Sequence, residues 1–332
     1  MSTDIGIDLG TSSVIIFVKN KGIVLREPSV VAKSNITNEI FAYGKEAYDM
    51  IGKTPDDISI IRPLKDGVIS DFHATTSMLK HYIKEVDTNR FLSTRIMICV
   101  PSQISEVERR AVIDTAMQAG NCKRVYLIEE PVASAIGAGI EIQKPNGNLV
   151  IDIGGGTTDI AVIAVGDSVV NSSIQVAGNT FDEEIKKYLK KKYGLLIGDK
   201  TAERIKQDIG CVFIDEKEIF TFARGRNLVN SLPMEIQVSS NEMPKVFCPL
   251  VDKIVDEIKV VLEKTPPELV EDITEKGIYM TGGGSLISGI DLYIERSLGI
   301  KVMRAHDAIS CVALGTGKAL NNLNMLEKKA NR

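Results

Sequence analysis

The sequence has 332 residues, 44% of them hydrophobic and 25% charged, with a formal net charge of −4. This is an ordinary globular composition with a length suited to about two domains, and its charge carries no basic signature for nucleic acid. No stretch reaches the ~18 uninterrupted apolar residues of a membrane helix. Five scattered cysteines without a Cys-x-x-Cys point to free thiols in a reducing cytoplasm, and three isolated histidines give no support for zinc or triad chemistry.

In chain order, Met1-Ser2-Thr3-Asp4 shows neither a signal peptide nor an anchor helix and runs straight into an apolar strand. That strand, Ile5-Gly6-Ile7-Asp8-Leu9, turns through Gly10-Thr11-Ser12-Ser13 into a second strand at 14–18. The segments 23–25 and 28–32 read as further antiparallel strands. Residues 33–65, with turns at Tyr43-Gly44-Lys45 and Thr54-Pro55-Asp56-Asp57, read as a small insertion. Leu79, Tyr82, Ile83 and Val86 share one helical face after Asp71. A buried strand at 95–100 closes on Pro101, and Ser105-Glu106-Val107-Glu108 is a capping box for a helix stopping near Gly120-Asn121. A strand at 125–128, Glu129-Glu130-Pro131 and a small-residue helix at 132–138 end the first half.

The second half opens with another hairpin, 149–163, whose turn is Asp152-Ile153-Gly154-Gly155-Gly156-Thr157-Thr158. Phe181, Ile185, Tyr188 and Leu189 mark a helix that ends at Gly194, and 201–206 is a short helical turn. Residues 211–245 read as irregular, a second small insertion. Val251, Ile254, Val255, Ile258, Val261 and Leu262 form the strongest helical stripe. Thr265-Pro266-Pro267-Glu268 opens a helix with proline in its first turn, and Gly277 stops it. A third glycine cluster, Gly282-Gly283-Gly284, leads into a helical pattern. A last helix covers 311–323 and a polar tail at 327–332 frays. Both halves thus start with antiparallel strands and continue in helix–strand units, an α/β architecture with an internal duplication.

The two Asp-Gly turns carry the chemistry. Glycine lets backbone approach a ligand, and successive free N–H groups make a nest for phosphate. An aspartate repels phosphate but suits a magnesium ion riding on it. Neither turn is a P-loop or a dinucleotide-binding turn, since the P-loop pattern is absent and each leads into a strand. One such turn is weak evidence, because aspartates often cap hairpins. Two in separate halves suggest related domains closing on one Mg-nucleotide.

These passages, with Gly22-Ile23-Val24-Leu25-Arg26-Glu27-Pro28-Ser29-Val30-Val31-Ala32, Arg62-Pro63-Leu64-Lys65-Asp66-Gly67-Val68-Ile69, Ile128-Glu129-Glu130-Pro131, Thr201-Ala202-Glu203-Arg204-Ile205-Lys206 and Thr265-Pro266-Pro267-Glu268-Leu269-Val270, resemble the actin/Hsp70/sugar-kinase ATPases and, within them, the MreB family of bacterial actins. The resemblance spans nearly the whole chain. It implies an actin-like (ribonuclease H-like) duplicated α/β fold of four subdomains: IA at 1–32, 66–144 and 312–332; IB at 33–65; IIA at 145–179 and 246–311; IIB at 180–245.

By the same resemblance Asp8 and Asp152 hold Mg²⁺ across a cleft. Gly10, Thr11, Ser12, Ser13, Gly154, Gly155, Gly156 and Thr157 cradle the phosphates of ATP or ADP. Gly282, Gly283 and Gly284 lie against adenine or ribose, with Glu203 and Lys206 on the other side; the plain alternative for those two charges is a solvated helix face. Glu130 polarises the attacking water with help from Thr157, although an acid before Pro131 also suits a helix N-terminus. Glu129 makes a structural salt bridge. Relatives usually read Asp-Leu-Gly-Thr-Ala-Asn-Thr where this chain has Ser12-Ser13-Val14. An amide donor and a hydroxyl are therefore missing, which bears on the hydrolysis rate rather than on binding.

The resemblance further implies a cytoplasmic ATPase, slow in turnover, that assembles with itself into double protofilaments at the inner face of the membrane and determines cell shape. Phe91 and Leu92 would insert into lipid, adding on the order of a few kcal/mol of burial, aided by the basic tail; alternatively they start the next strand's core. Membrane-bound morphogenesis proteins would be further partners. The rivals are a nucleotide-binding structural filament with negligible hydrolysis and a soluble, non-polymerising ATPase of the same fold.

Overall fold

The structure, a computed structural model, describes residues 4–86, 95–120, 122 and 124–320. The first half begins with β1 (Asp4–Leu9), β2 (Ser13–Val18) and β3 (Gly22–Pro28), paired antiparallel in succession. It continues through β4 (Val31–Ser34), β5 (Ile40–Tyr43), α1 (Gly44–Met50) and β6 (Ile58–Ile61), where β4 to β6 form a separate small sheet. After the two-residue strands β7 (Leu64–Lys65) and β8 (Val68–Ile69) come α2 (Phe72–Val86), β9 (Arg95–Val100), α3 (Glu106–Gly120), β10 (Arg124–Glu129) and α4 (Glu130–Ala138). Strands β9 and β10 add in parallel beside β1, giving the order β10-β9-β1-β2-β3.

The second half repeats this plan. Strands β11 (Asn148–Ile153), β12 (Thr158–Ala164) and β13 (Asp167–Ile174) are antiparallel neighbours. Next come α5 (Gly178–Tyr193), β14 (Leu195–Leu196), α6 (Asp199–Ile209), β15 (Phe220–Asn227) and β16 (Pro233–Ser239). The chain ends in α7 (Pro244–Lys264), α8 (Pro267–Lys276), β17 (Ile278–Thr281), α9 (Ile290–Leu298), β18 (Val302–Arg304) and α10 (Cys311–Leu320). The sheet order β13-β12-β11-β17-β18 matches β3-β2-β1-β9-β10 strand for strand, including which pairs are parallel. The expected duplication is therefore present.

Four local expectations need correction. The 28–32 segment is not one strand of the opening meander, because β3 ends at Pro28 and β4 begins at Val31 in the small sheet. Tyr43-Gly44-Lys45 is not an isolated turn but the entry to α1. Gly44 takes a positive φ of 55° there, and Glu27, from another strand, accepts the Lys45 N–H at 2.7 Å. The 201–206 turn is part of an 11-residue helix, α6. Residues 211–245 are not irregular, because β15 and β16 form a long hairpin from Phe220↔Ser239 to Arg226↔Pro233. The Ser105–Glu108 capping box is formed reciprocally, with the Ser105 N–H donating to the Glu108 carboxylate and the Glu108 N–H to Ser105 Oγ. The expected leader-free start at residues 1–3, the helix stop at Asn121 and the tail beyond Leu320 lie outside the described residues.

Each half has its own apolar core, and a third cluster joins them. In the joint, Met97, Val132, Val150, Ile163, Val312 and Leu320 pack together between the two sheets. Helices α4 and α10 run through it in backbone contact. A Cβ on Gly137 would lie 1.8 Å from the Cys311 carbonyl oxygen, and one on Gly315 1.8 Å from that of Ala133.

At the start of β1, buried Asp4 is held by Arg95 from β9 through two hydrogen bonds of 2.7 and 2.6 Å, with Lys19 at 3.3 Å. Burial raises the carboxyl pKa, but the bonds and charges of Arg95 and Lys19 outweigh it and hold the group below its usual value. The sign follows: a depressed native pKa gives stability that is complete above the unfolded value near 3.8 and is lost as pH falls through the native one. Acid titration of unfolding should therefore show a loss of stability below about pH 4. Asp4→Asn should flatten that limb, and an unchanged limb would remove the pair from the account of acid stability.

Candidate functional site

The two turns that end the central strands β1 and β11 are built alike. In each, a glycine N–H bonds the carbonyl three residues on, Gly10 to Ser13 at 3.1 Å and Gly154 to Thr157 at 2.9 Å. They face each other closely enough that a Cβ on Gly155 would strike Ser12 Oγ at 2.0 Å, and one on Gly156 would reach Thr11 Oγ1 at 2.5 Å. Other side chains are thereby excluded at both glycines. The N-terminus of α5 docks onto the second turn through Gly178 N–H to Gly154 O and Asn179 N–H to Gly155 O. The next two N–H groups of the helix, of Thr180 and Phe181, bond the Ala177 carbonyl, so this helix end braces the turn with its N–H groups already paired.

The cleft has a volume of about 620 Å³. Every residue proposed above for nucleotide or metal lines it: Asp8, the Gly10–Ser13 and Gly154–Thr157 turns, Glu130, Asp152, Glu203, Lys206 and Gly282–Gly284. Sequence reasoning missed Tyr48, Arg62, Gly67, Asn179 and Asp182, which also line it. Asn179 and Asp182 carried a legible signal, since they open the helix that follows the second hairpin. Phe91 and Leu92 lie outside the described residues.

Four acids meet beneath the turns. Asp8 receives the Cys99 thiol at 3.4 Å; Asp152 receives Thr281 Oγ1 at 3.0 Å and the Ser134 hydroxyl; Asp159 receives the Ser102 N–H at 3.0 Å. Burial and then the charge of Asp152 push Asp8 up to about 7. Burial raises Asp152 to about 6 against the pull of Ser134 and Thr281. Glu130 is raised well above its ordinary value by burial and by the charges of Asp159, Asp8 and Asp152. Burial raises Asp159 too, and its Oδ2 has no hydrogen-bond partner.

A group of acids with this much uncompensated charge suits a hard cation. Among the described residues no group of three or more His, Cys, Asp or Glu side chains is placed to hold a metal ion by itself.

At the rim, Lys206 is held by Asp182 and the Gly178 carbonyl, both at 2.8 Å. Burial raises Asp182 to about 6 even against the Lys206 charge. Glu203 accepts a 2.5 Å hydrogen bond from Tyr48, so neither residue is the freely solvated helix-face charge.

A duplicated sheet plan enclosing paired Asp-Gly turns defines the actin-like class of nucleotide-binding fold. A sequence model described as MreB/Mbl protein matches residues 2–328, and the chain belongs to the MreB/Mbl family. It is 50% identical over 330 residues to the cell shape-determining protein Mbl of Bacillus cereus, covering 99% of each chain. It is 45% identical to the cell shape-determining protein MreB of Escherichia coli, covering 98% of this chain and 95% of that one. The crystal structure of MreB5 of Spiroplasma citri bound to AMPPNP superposes with a TM-score of 0.94 at 41% identity, covering 99% of both chains.

Proposed function

We propose that this chain binds Mg-ATP in the cleft, hydrolyses it slowly and assembles with itself into double protofilaments that determine cell shape at the inner face of the membrane. The observation that carries this reading is the pair of equivalent Asp-Gly turns facing each other across one cleft. Asp8 and Asp152 would hold magnesium, which when bound neutralises charge on the β- and γ-phosphates. The N–H groups and hydroxyls of the two turns would bind the phosphates, and Glu203, Lys206 and Gly282–Gly284 the nucleoside. Glu130, at the start of α4 and, like Thr157, in the cleft wall, would orient and deprotonate the attacking water.

The division into four subdomains belongs to the same proposal, and it is supported by the two five-stranded sheets and by the two three-stranded sheets, β5-β4-β6 and β14-β15-β16, inserted between their strands. No helix of the described residues is long and apolar enough to cross a membrane. Attachment through Phe91 and Leu92, and contact with membrane-bound morphogenesis proteins, belong to the same proposal by family membership.

The test is sedimentation of the purified chain with Mg-ATP, with Mg-ADP and without nucleotide. Nucleotide-dependent pelleting is the expected result. A folded protein that stays in the supernatant in all three at high concentration would overturn the filament and favour a soluble ATPase. The Ser12-Ser13-Val14 turn favours a second reading, a nucleotide-binding filament with negligible hydrolysis. Phosphate release by the pelleted polymer separates the two.

A further inference from the structure

We propose that Tyr48 and Glu203 form a strap across the mouth of the cleft that sets how fast a bound nucleotide leaves. This rests on the reading that the cleft holds a nucleotide. The two residues belong to different cores. Tyr48, on α1, packs against the small cluster of Val30, Ala32, Ala42 and Ala47. Glu203 projects from α6, whose Ala202, Ile205 and Ile209 are buried in the core of the second half. Between them the Tyr48 hydroxyl donates to Glu203 Oε2 at 2.5 Å, a length typical of a hydrogen bond to an ionised acceptor.

Neighbouring positions repeat the link. Lys200, three residues before Glu203 on α6, sits over the Tyr48 ring at 4.5 Å, with its ammonium 3.8 Å from Asp49. That ion pair is long and its Asp49 end is largely exposed, so it adds little, and the hydroxyl–carboxylate bond carries the strap. Both Tyr48 and Glu203 line the cleft, so their bond closes across the space the ligand would occupy. Burial, and then the bond to Glu203, raise the Tyr48 phenol above its ordinary value, so it stays a donor across the physiological range.

The experiment is the release rate of fluorescent mant-ADP with magnesium, chased by excess ATP, at protein concentrations below assembly. Tyr48→Phe keeps the ring and its packing and removes only the donor. It should speed release about tenfold, the order expected for a lost hydrogen bond to a charged acceptor, with the melting temperature close to wild type. Measured against Glu203→Ala alone, whose release already reflects loss of the nucleoside contact proposed above, adding Tyr48→Phe should alter release by less than about twofold, because its partner is already gone. A separate contact of the Tyr48 hydroxyl with nucleotide would instead multiply the two effects and overturn the strap. Unchanged release in Tyr48→Phe, with nucleotide still bound, also overturns it while leaving the nucleotide site intact. Failure of the wild-type chain to bind mant-ADP overturns both.

Discussion

Replacing Glu130 by glutamine should lower phosphate release from bound ATP by at least about 100-fold, the usual contribution of a positioned acid–base group, while nucleotide still binds. Glutamine keeps the shape but cannot accept a proton. The same variant separates the two roles open to this residue. As the first residue of α4, an ionised Glu130 would be stabilised by the helix dipole, and its loss would cost about 0.3–1 kcal/mol. The structure points the other way, because burial and the charges of Asp159, Asp8 and Asp152 raise its pKa and so oppose its ionisation. Glu130→Gln should therefore raise the melting temperature of the nucleotide-free, metal-free protein. Activity lost with stability gained is the signature of a group placed for chemistry against its own comfort. Turnover within fivefold of wild type, or a lower melting temperature, would return Glu130 to a structural role.

Gly315→Ala should destabilise the fold by about 3 kcal/mol or more, at the upper end of overpacking effects. Two terms compete. Alanine is favoured over glycine inside a helix by about 1 kcal/mol, which on an exposed helix would make this a stabilising change. Here the new Cβ would sit 1.8 Å from the Ala133 carbonyl oxygen, on backbone that cannot rotate aside. Helices α4 and α10 would have to separate, disturbing the third core cluster on which both sheets rest. Denaturant unfolding checks the sign, and a higher midpoint would show that the helix pair is looser than the structure gives it. Gly137→Ala probes the same contact from the other helix, against the Cys311 carbonyl.

What could be read from the sequence was whatever depends on near neighbours along the chain. The Asp8 and Asp152 turns, the α2 and α7 stripes and the Ser105 capping box all declare themselves within a few residues. Helix α1 did not, because the acceptor for its Lys45 N–H is Glu27, on another strand. The β15–β16 hairpin was hidden for a different reason. Its alternation is inverted: Thr221 and Ala223 face inward while Phe220 and Phe222 stand about half exposed. A rule that places large apolar residues inside therefore reads the strand wrongly. In the cleft, Glu203 and Lys206 came from family resemblance, whereas Tyr48 became visible only with its partner in place. Tyr48 meets Glu203 from 155 positions away.

The chain passes between its halves at two places, from α4 into β11 and from β18 into α10, and the helices at these passages are the pair pressed together at Gly137 and Gly315. Two tethers side by side form a spine. The close backbone contact at this spine opposes sliding of one half past the other and leaves rotation about it as the displacement that disturbs the contact least. A swing of a few degrees barely disturbs contacts at the spine and is magnified with distance from it. Contacts at the outer margin thus have the longest lever arm, and a single hydrogen bond there opposes opening with more torque than the same bond placed near the hinge.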